Sequence, residues 1–345
     1  MKQWLIGLTM FLSGVIHAQQ GTSFASIDWK VQNVDAPTPD SLAHLLTANY
    51  TTELEKVRAI YSWIATHIAY NIDIFKPNRT SHKYSPDPLD TAAVWPSGDE
   101  MIARKVLRKR VAVCDGYSRL FKVLCRYAGI EADIIQGYGR VYGGDSERRF
   151  RTNHTWNAVR IDSVWKLLDI TWASGYTTYA NDFIQKQNDF YFLTPPDQFI
   201  ADHYPEELRW ALLPDPPAPS ELKKLPFRNK NFFKYGVNSY FPKSGIIEAS
   251  AGDTISFAVQ LKDVKRARTT SADPFMDTAS YLQWPLSSFI KPVKEIGNAV
   301  VYFYVVEPAS QWLNLLYNDD VIMRYRINVA IKKEAVTKAF SYLPN

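Results

Sequence analysis

Arg110-Val111-Ala112-Val113-Cys114-Asp115-Gly116-Tyr117-Ser118 is the stretch on which the reading of this chain turns. Its first half is a β-like apolar run. Its second half opens a helical pattern, with Tyr117, Leu120, Phe121, Leu124 and Tyr127-Ala128 on one stripe and Gly129 as the stop. A thiol therefore stands at a helix start. Downstream come Asn153-His154-Thr155-Trp156-Asn157 and Leu168-Asp169-Ile170-Thr171-Trp172. His154 to Ile161 and Val164 to Trp172 read as the two strands of a hairpin around Asp162-Ser163. Cysteine at a helix start, then histidine and aspartate on adjacent strands, is the layout of a cysteine-nucleophile triad.

The chemistry fits those places. A thiol with a pKa near the reference of about 8.5 is mostly protonated at neutral pH, whereas the thiolate is the nucleophile. A helix N-terminus favours the anion. An imidazole can pair with it or take its proton, and a carboxylate on the other ring nitrogen fixes the tautomer. Strand parity tests the arrangement. A two-residue turn at Asp162 and Ser163 sets Asp169 opposite Trp156 and His154 opposite Thr171. His154 and Asp169 then share a face as diagonal neighbours, about 7 Å apart at the backbone. A one-residue slip would separate them.

Blander readings compete. A single cysteine at a helix start is commonly structural, and a histidine beside tryptophan in a strand commonly packs in a core. Asp169 within Leu167-Leu168-Asp169-Ile170 is harder to place that way, because an acid in an apolar strand needs a partner. A zinc site would require a close-spaced second ligand pair, which the sequence lacks. The joint pattern therefore favours the triad Cys114, His154 and Asp169, with no metal and no cofactor.

The chain has 345 residues, 46% of them apolar, enough for two domains with sizeable cores. Its net charge of +5 is modest, and the basic residues are scattered, so a nucleic-acid partner is not expected. The dense run Arg104 to Arg110 reads as a solvated helix face, with attraction of an anionic substrate as its other use. Lys2, an apolar stretch from Trp4 to Ile16 and Ile16-His17-Ala18 read as a secretory signal peptide, too short to span a bilayer. No transmembrane segment is expected. The protein is therefore expected in the periplasm or outside the cell. Its two cysteines would ordinarily form a disulfide there. On one helix, however, Cys114 and Cys125 lie about 16 Å apart at about 1.5 Å per residue, beyond the reach of about 7 Å between Cα atoms. Both thiols are expected free.

Thr52 with Glu55 forms a capping box before a helix to about Ala69, on which His67 reads as structural, and Asp40 to Asn49 reads as a shorter helix. Asp73 to Gly98 and Arg140 to Asn153 read as loops bordering a cleft. Pro195-Pro196 and Leu213 to Pro219 form a proline-rich connector. Beyond it the period changes to two, as in Ile255, Phe257, Val259 and Leu261. The expected organisation is a signal peptide over 1–18, an α+β catalytic domain over 19–225, and an all-β sandwich over 226–345.

At these motifs the chain resembles the transglutaminase-like superfamily, which has a papain-like fold. The residues that carry the resemblance are Val113 to Phe121, Ala128 to Ala132, His154-Thr155-Trp156-Asn157-Ala158-Val159 and Trp165 to Trp172. The Cys-Asp-Gly-Tyr and His-x-Trp-Asn-x-Val forms are most similar to the branch that includes the kyphoscoliosis peptidase. Tyr191-Phe192-Leu193, Pro195-Pro196, Phe199-Ile200, His203 and Trp210 to Leu213 resemble the segment that follows the triad there. The resemblance implies a helix carrying the cysteine, packed on an antiparallel sheet carrying histidine and aspartate. It implies Cys114 as nucleophile, His154 as base and acid, and Asp169 as orienting group. The oxyanion would meet the nucleophile's N–H and an upstream side chain, for which Trp63 and Trp95 are candidates; Trp156 and Asn157 are candidates for substrate contact. The expected function is an exported cysteine-dependent acyl-transfer enzyme, a peptidase or amidase acting through a thioester. Its partner would be a protein or peptide substrate or a cell-envelope polymer. The alternatives are a protein-crosslinking transglutaminase and a non-catalytic envelope binding or scaffold protein.

Overall fold

The computed structural model describes residues 24–75, 97–140, 151–178, 182–270 and 286–330. The expected signal peptide, Trp95 and most of the two expected loops lie outside these residues.

Helices come first. α1 (Ala25–Val31) and α2 (Pro39–Thr47) precede α3 (Glu53–His67), which the Thr52–Glu55 capping box opens on both sides. α3 ends two residues short of the expected Ala69, because Ile68 turns extended and leads into β1 (Ala69–Tyr70). α4 (Gly98–Lys109) starts at Ser97, whose side chain accepts the Glu100 N–H. β2 (Val111–Ala112) pairs in parallel with β1, setting Tyr70 beside Ala112. α5 (Cys114–Tyr127) follows and ends at Gly129, which takes a φ of 72° that other residues rarely adopt. A Cβ at Gly116 would lie 2.9 Å from Ala112 Cβ, so glycine lets the first turn of α5 close against β2.

β3 (Ala132–Gly139), β4 (His154–Ile161), β5 (Val164–Leu168) and β8 (His203–Pro205) form an antiparallel sheet in the order β5-β4-β3-β8. α5 lies across β3 and β4. Leu120, Phe121 and Leu124 of α5 join Ile60, Trp63 and Ile64 of α3 and Ile135, Trp156 and Ala158 of the sheet in one core. The turn expected at Asp162-Ser163 is present, with φ of 49° and 66°, and its register pairs Asn157 with Leu168 and Ile161 with Val164. The second strand is shorter than expected. It stops at Leu168, and α6 (Ile170–Ser174) begins at once, because the Asp169 carboxylate accepts the Trp172 N–H and caps a helix. Between α6 and β8 run the short strands β6 (Gly175–Thr177) and β7 (Phe183–Gln185), a 3-10 turn at Asp189–Tyr191 and α7 (Pro196–Phe199).

The later part of the chain has its own core, built on two sheets. After α8 (Pro219–Lys224), β9 (Phe227–Arg228) and α9 (Lys230–Lys234), the strands are β10 (Val237–Phe241), β11 (Ile246–Ser250) and β12 (Thr254–Leu261). α10 (Val264–Thr269) and β13 (Phe289–Ile290) lead to β14 (Lys294–Ile296), β15 (Ala299–Val305), β16 (Trp312–Tyr317) and β17 (Asp320–Ala330). One sheet runs β10-β12-β15-β14 and the other β11-β17-β16-β13. Alternate residues Phe257, Val259 and Leu261 of the first meet Leu313, Leu315, Met323 and Tyr325 of the second. The period-two reading of β12 matches this burial. Unlike an all-antiparallel sandwich, the second sheet pairs β11 with β17 and β13 with β16 in parallel. No helix among the described residues is long and apolar enough to cross a membrane.

Candidate active site

Cys114 is the first residue of α5. Its N-cap, Val113, offers no side-chain acceptor, so the positive end of the helix faces the thiol without a competing cap. Cys114 is partly exposed, whereas Cys125 is fully buried, and both are free thiols. Burial pushes the Cys114 thiol up, but hydrogen bonding to His154, the imidazolium charge and the Thr155 hydroxyl and N–H outweigh it, leaving the thiol below its ordinary value. Burial alone pushes Cys125 well up.

His154 opens β4 opposite Gly137 of β3. A Cβ at Gly139 would lie 2.9 Å from His154 Cβ, so glycine there leaves the imidazole its place. His154 Nε2 lies 2.7 Å from Asp169 Oδ2. Nδ1 is therefore the nitrogen left for the thiol. Burial pushes His154 down, and the Asp169 carboxylate and Cys114 together overcome that and hold it well above the ordinary imidazole range. Burial raises Asp169, and His154 and His203 together bring it well below the usual carboxylate range. The shared face inferred from strand parity is thus present, although Asp169 meets His154 from the N-cap of α6 rather than from a strand.

The other site candidates fall elsewhere. Trp63 is buried, and its indole N–H donates to the Val34 carbonyl at 2.7 Å, so it has no donor to offer an oxyanion. Asn157 is also buried. Its amide donates to the carbonyls of Ser118 at 3.1 Å and Asp133 at 3.0 Å, tying α5 to the sheet rather than contacting substrate. Trp156 is 1% exposed and packs edge-on to His203 at 5.1 Å, a wall of the site rather than a substrate surface. His67 bonds the Trp63 and Gln32 carbonyls and stacks on Trp63, as a structural residue would. In the basic run, Arg104 pairs with Glu100, and Arg110 pairs with Asp35 and lies over Trp63.

Two further residues belong here that strand parity could not reveal. Tyr70 pairs with Ala112, two residues before Cys114, and is raised to about 12, first by burial and then by the charges of Cys114 and Asp169. Its signal in the sequence was only the step from α3 into a short strand. His203 lies 2.9 Å from the same Asp169 oxygen that bonds His154. The ligand atoms of His154, Asp169 and His203 lie within 4.8 Å of one another. Both Nε2 atoms are already hydrogen-bonded to one carboxylate oxygen, so the set is a proton-linked chain rather than an open ligand sphere.

Residues 40–170 match the family model described as the Transglutaminase-like superfamily. The human kyphoscoliosis peptidase is 32% identical over 233 residues, a match covering 66% of this chain and 32% of that protein. Hillarin of Drosophila melanogaster is 29% identical over 222 residues, covering 60% of this chain and 25% of that protein. This chain therefore spans 32% or less of the length of these two curated relatives. Among solved structures, the periplasmic domain of TgpA from Pseudomonas aeruginosa aligns with 43% of this chain and 47% of that chain, at 19% identity and a TM-score of 0.27. Residues 40–170 thus carry the domain of the Transglutaminase-like superfamily, and the 32% identity to the kyphoscoliosis peptidase supports the branch that includes it.

Proposed function

We propose that the protein is an exported cysteine-dependent acyl-transfer enzyme, a peptidase or amidase that works through a thioester. The observation that carries this reading is the 2.7 Å bond from His154 Nε2 to Asp169 Oδ2, which turns Nδ1 to a thiol held below its ordinary value. Export rests on the N-terminal apolar stretch Trp4 to Ile16.

The proposed steps use the groups described above. His154 Nδ1 takes the Cys114 proton, and Asp169 holds the resulting imidazolium. The thiolate attacks the carbonyl carbon, and the C=O electron pair moves to oxygen. The Cys114 N–H at the helix start and the Tyr70 phenol are the donors assigned to that oxyanion. The C–N bond then breaks, and the leaving amine takes the proton from His154 Nδ1. Water, deprotonated by the same nitrogen, attacks the thioester; the C–S bond breaks and the acid leaves. An amine replacing water would give acyl transfer.

The test uses peptides from a denatured protein, with and without a primary amine, and mass spectrometry of the products. New C-termini that vanish in Cys114→Ala support the peptidase reading. Amine adducts that outrun hydrolysis would assign the protein to crosslinking. Neither product, with Cys114 alkylated no faster than Cys125, would remove the enzyme reading.

A further inference from the structure

Asp169 Oδ2 serves two imidazoles at once. It lies 2.7 Å from His154 Nε2 and 2.9 Å from His203 Nε2. His203 Nδ1 lies 2.6 Å from Asp202 Oδ1, and Asp202 Oδ2 accepts the Tyr191 hydroxyl at 3.2 Å. Tyr191, Asp202 and His203 all lie beyond the residues matched by the family model. The chain of contacts is sealed from solvent: His203 is 1% exposed, Asp202 4% and Asp169 0%. Phe199 stacks on the His203 ring at 4.1 Å, Trp172 tilts over it at 4.4 Å, and Trp156 meets it edge-on at 5.1 Å.

Proton counting constrains this arrangement. A neutral imidazole has one N–H, and an ionised carboxylate only accepts. Two ring nitrogens that each face a carboxylate oxygen require either an imidazolium or a proton moved onto one of the carboxyls. Asp169 also accepts the Trp172 N–H at 3.2 Å, so three donors converge on its two oxygens and favour the anion. A buried charge persists only when paired and hydrogen-bonded. A cation between two carboxylates meets that condition on both sides of the ring.

We propose that His203 is a positioning residue, held as an imidazolium between Asp169 and Asp202, and that its charge tempers the pull of Asp169 on the His154 proton. The inference rests on the triad reading and deepens it. A carboxylate facing His154 alone would make that imidazole strongly basic and slow to release its proton to a leaving amine. Sharing the carboxylate with a second cation lowers that basicity while keeping the ring aligned. Among the described residues the titratable groups facing His203 are Asp169 at the start of α6, Asp202 beside it, His154 on β4 and Tyr191 from the 3-10 turn; Cys114 hydrogen-bonds to His154. Burial pushes His203 down, and Asp202 and Asp169 together hold it above its ordinary value, in accord with this count.

Two measurements test the proposal. Nitrogen-15 spectra of the imidazoles at neutral pH should show both His203 nitrogens protonated, with His203→Gln giving the assignment. A bare His203 nitrogen would overturn the proposal whatever the triad does. The second measurement is the pH profile of Cys114 alkylation by iodoacetate, whose negative charge makes the rate sensitive to the His154 imidazolium. Asp202→Asn lets an amide N–H meet Nδ1, so a neutral His203 can keep its bond to Asp169 while its charge is gone. The alkaline limb should then move up by about half a pH unit or more, with the melting temperature little changed. A limb that stays in place would make His203 merely structural and overturn the proposal. A wild-type profile with no imidazolium-dependent plateau would instead sink the triad reading. If Asp202→Asn does not fold, the nitrogen spectra decide alone.

Discussion

Asp169 bonds His154 at 2.7 Å from a position just outside the sheet. Its Oδ2 reaches Nε2, while its Oδ1 accepts the Trp172 N–H at 3.2 Å and starts α6. One carboxylate therefore orients the imidazole and begins a helix. The ring of His154 is thereby anchored to a capped element rather than to a strand end free to fray.

Cys114 should react with iodoacetamide at neutral pH about 100-fold faster than Cys125, since only Cys114 is lowered by an imidazole and partly exposed. Mass spectrometry of the two labelled peptides across pH 5 to 10 reads this out. Equal rates, or Cys125 leading, would contradict the activated thiol.

Asp169→Asn should lower turnover by about 10⁴, as loss of the tautomer-fixing carboxylate does in serine triads. The sign of the pH effect is defined. Asp169 raises His154, so its removal lets the imidazolium deprotonate at lower pH, and the alkaline limb of iodoacetate alkylation moves down. Asparagine still caps a helix well, so melting should change less than in Asp169→Ala.

Tyr70→Phe should lower kcat by about 10²- to 10³-fold, as loss of one oxyanion donor does. Alkylation of Cys114 forms no oxyanion, so that rate should hardly change. A parallel loss in both assays would assign Tyr70 to shaping the thiol instead.

Asn157→Ala should destabilise the fold by about 1–3 kcal/mol, because the buried Ser118 and Asp133 carbonyls lose their donor. Urea unfolding measures the loss. The pH profile of Cys114 alkylation should keep its limbs, in contrast to the Asp169 and Asp202 variants.

The local features were legible from residue order. Thr52 with Glu55 announced a helix start through short-range capping chemistry. Asp162-Ser163 specified a two-residue turn, and the turn set the register of β4 and β5. Alternation along β12 identified its inward face. The step from β2 into α5 put a thiol at a helix start. Each of these depends on residues a few positions apart, where backbone sterics and periodicity act.

The end of β5 was less legible, because the β-branched Ile170 and Thr171 continue a strand pattern until the Asp169 cap is taken into account. Trp63, an oxyanion candidate by position, instead faces Val34, and Asn157 faces two backbone carbonyls.

By itself, then, the order of residues determined the helix carrying Cys114, the hairpin bringing His154 toward Asp169, and the period-two strands of the later part of the chain. Only the tertiary structure decided that β8 returns beside β3, setting His203 opposite Gly139 and within reach of Asp169. The reason is physical: turns and periods are set by neighbouring residues, whereas the meeting of Asp169, His203 and Asp202 depends on how the whole core packs and on the need of every buried charge for a partner.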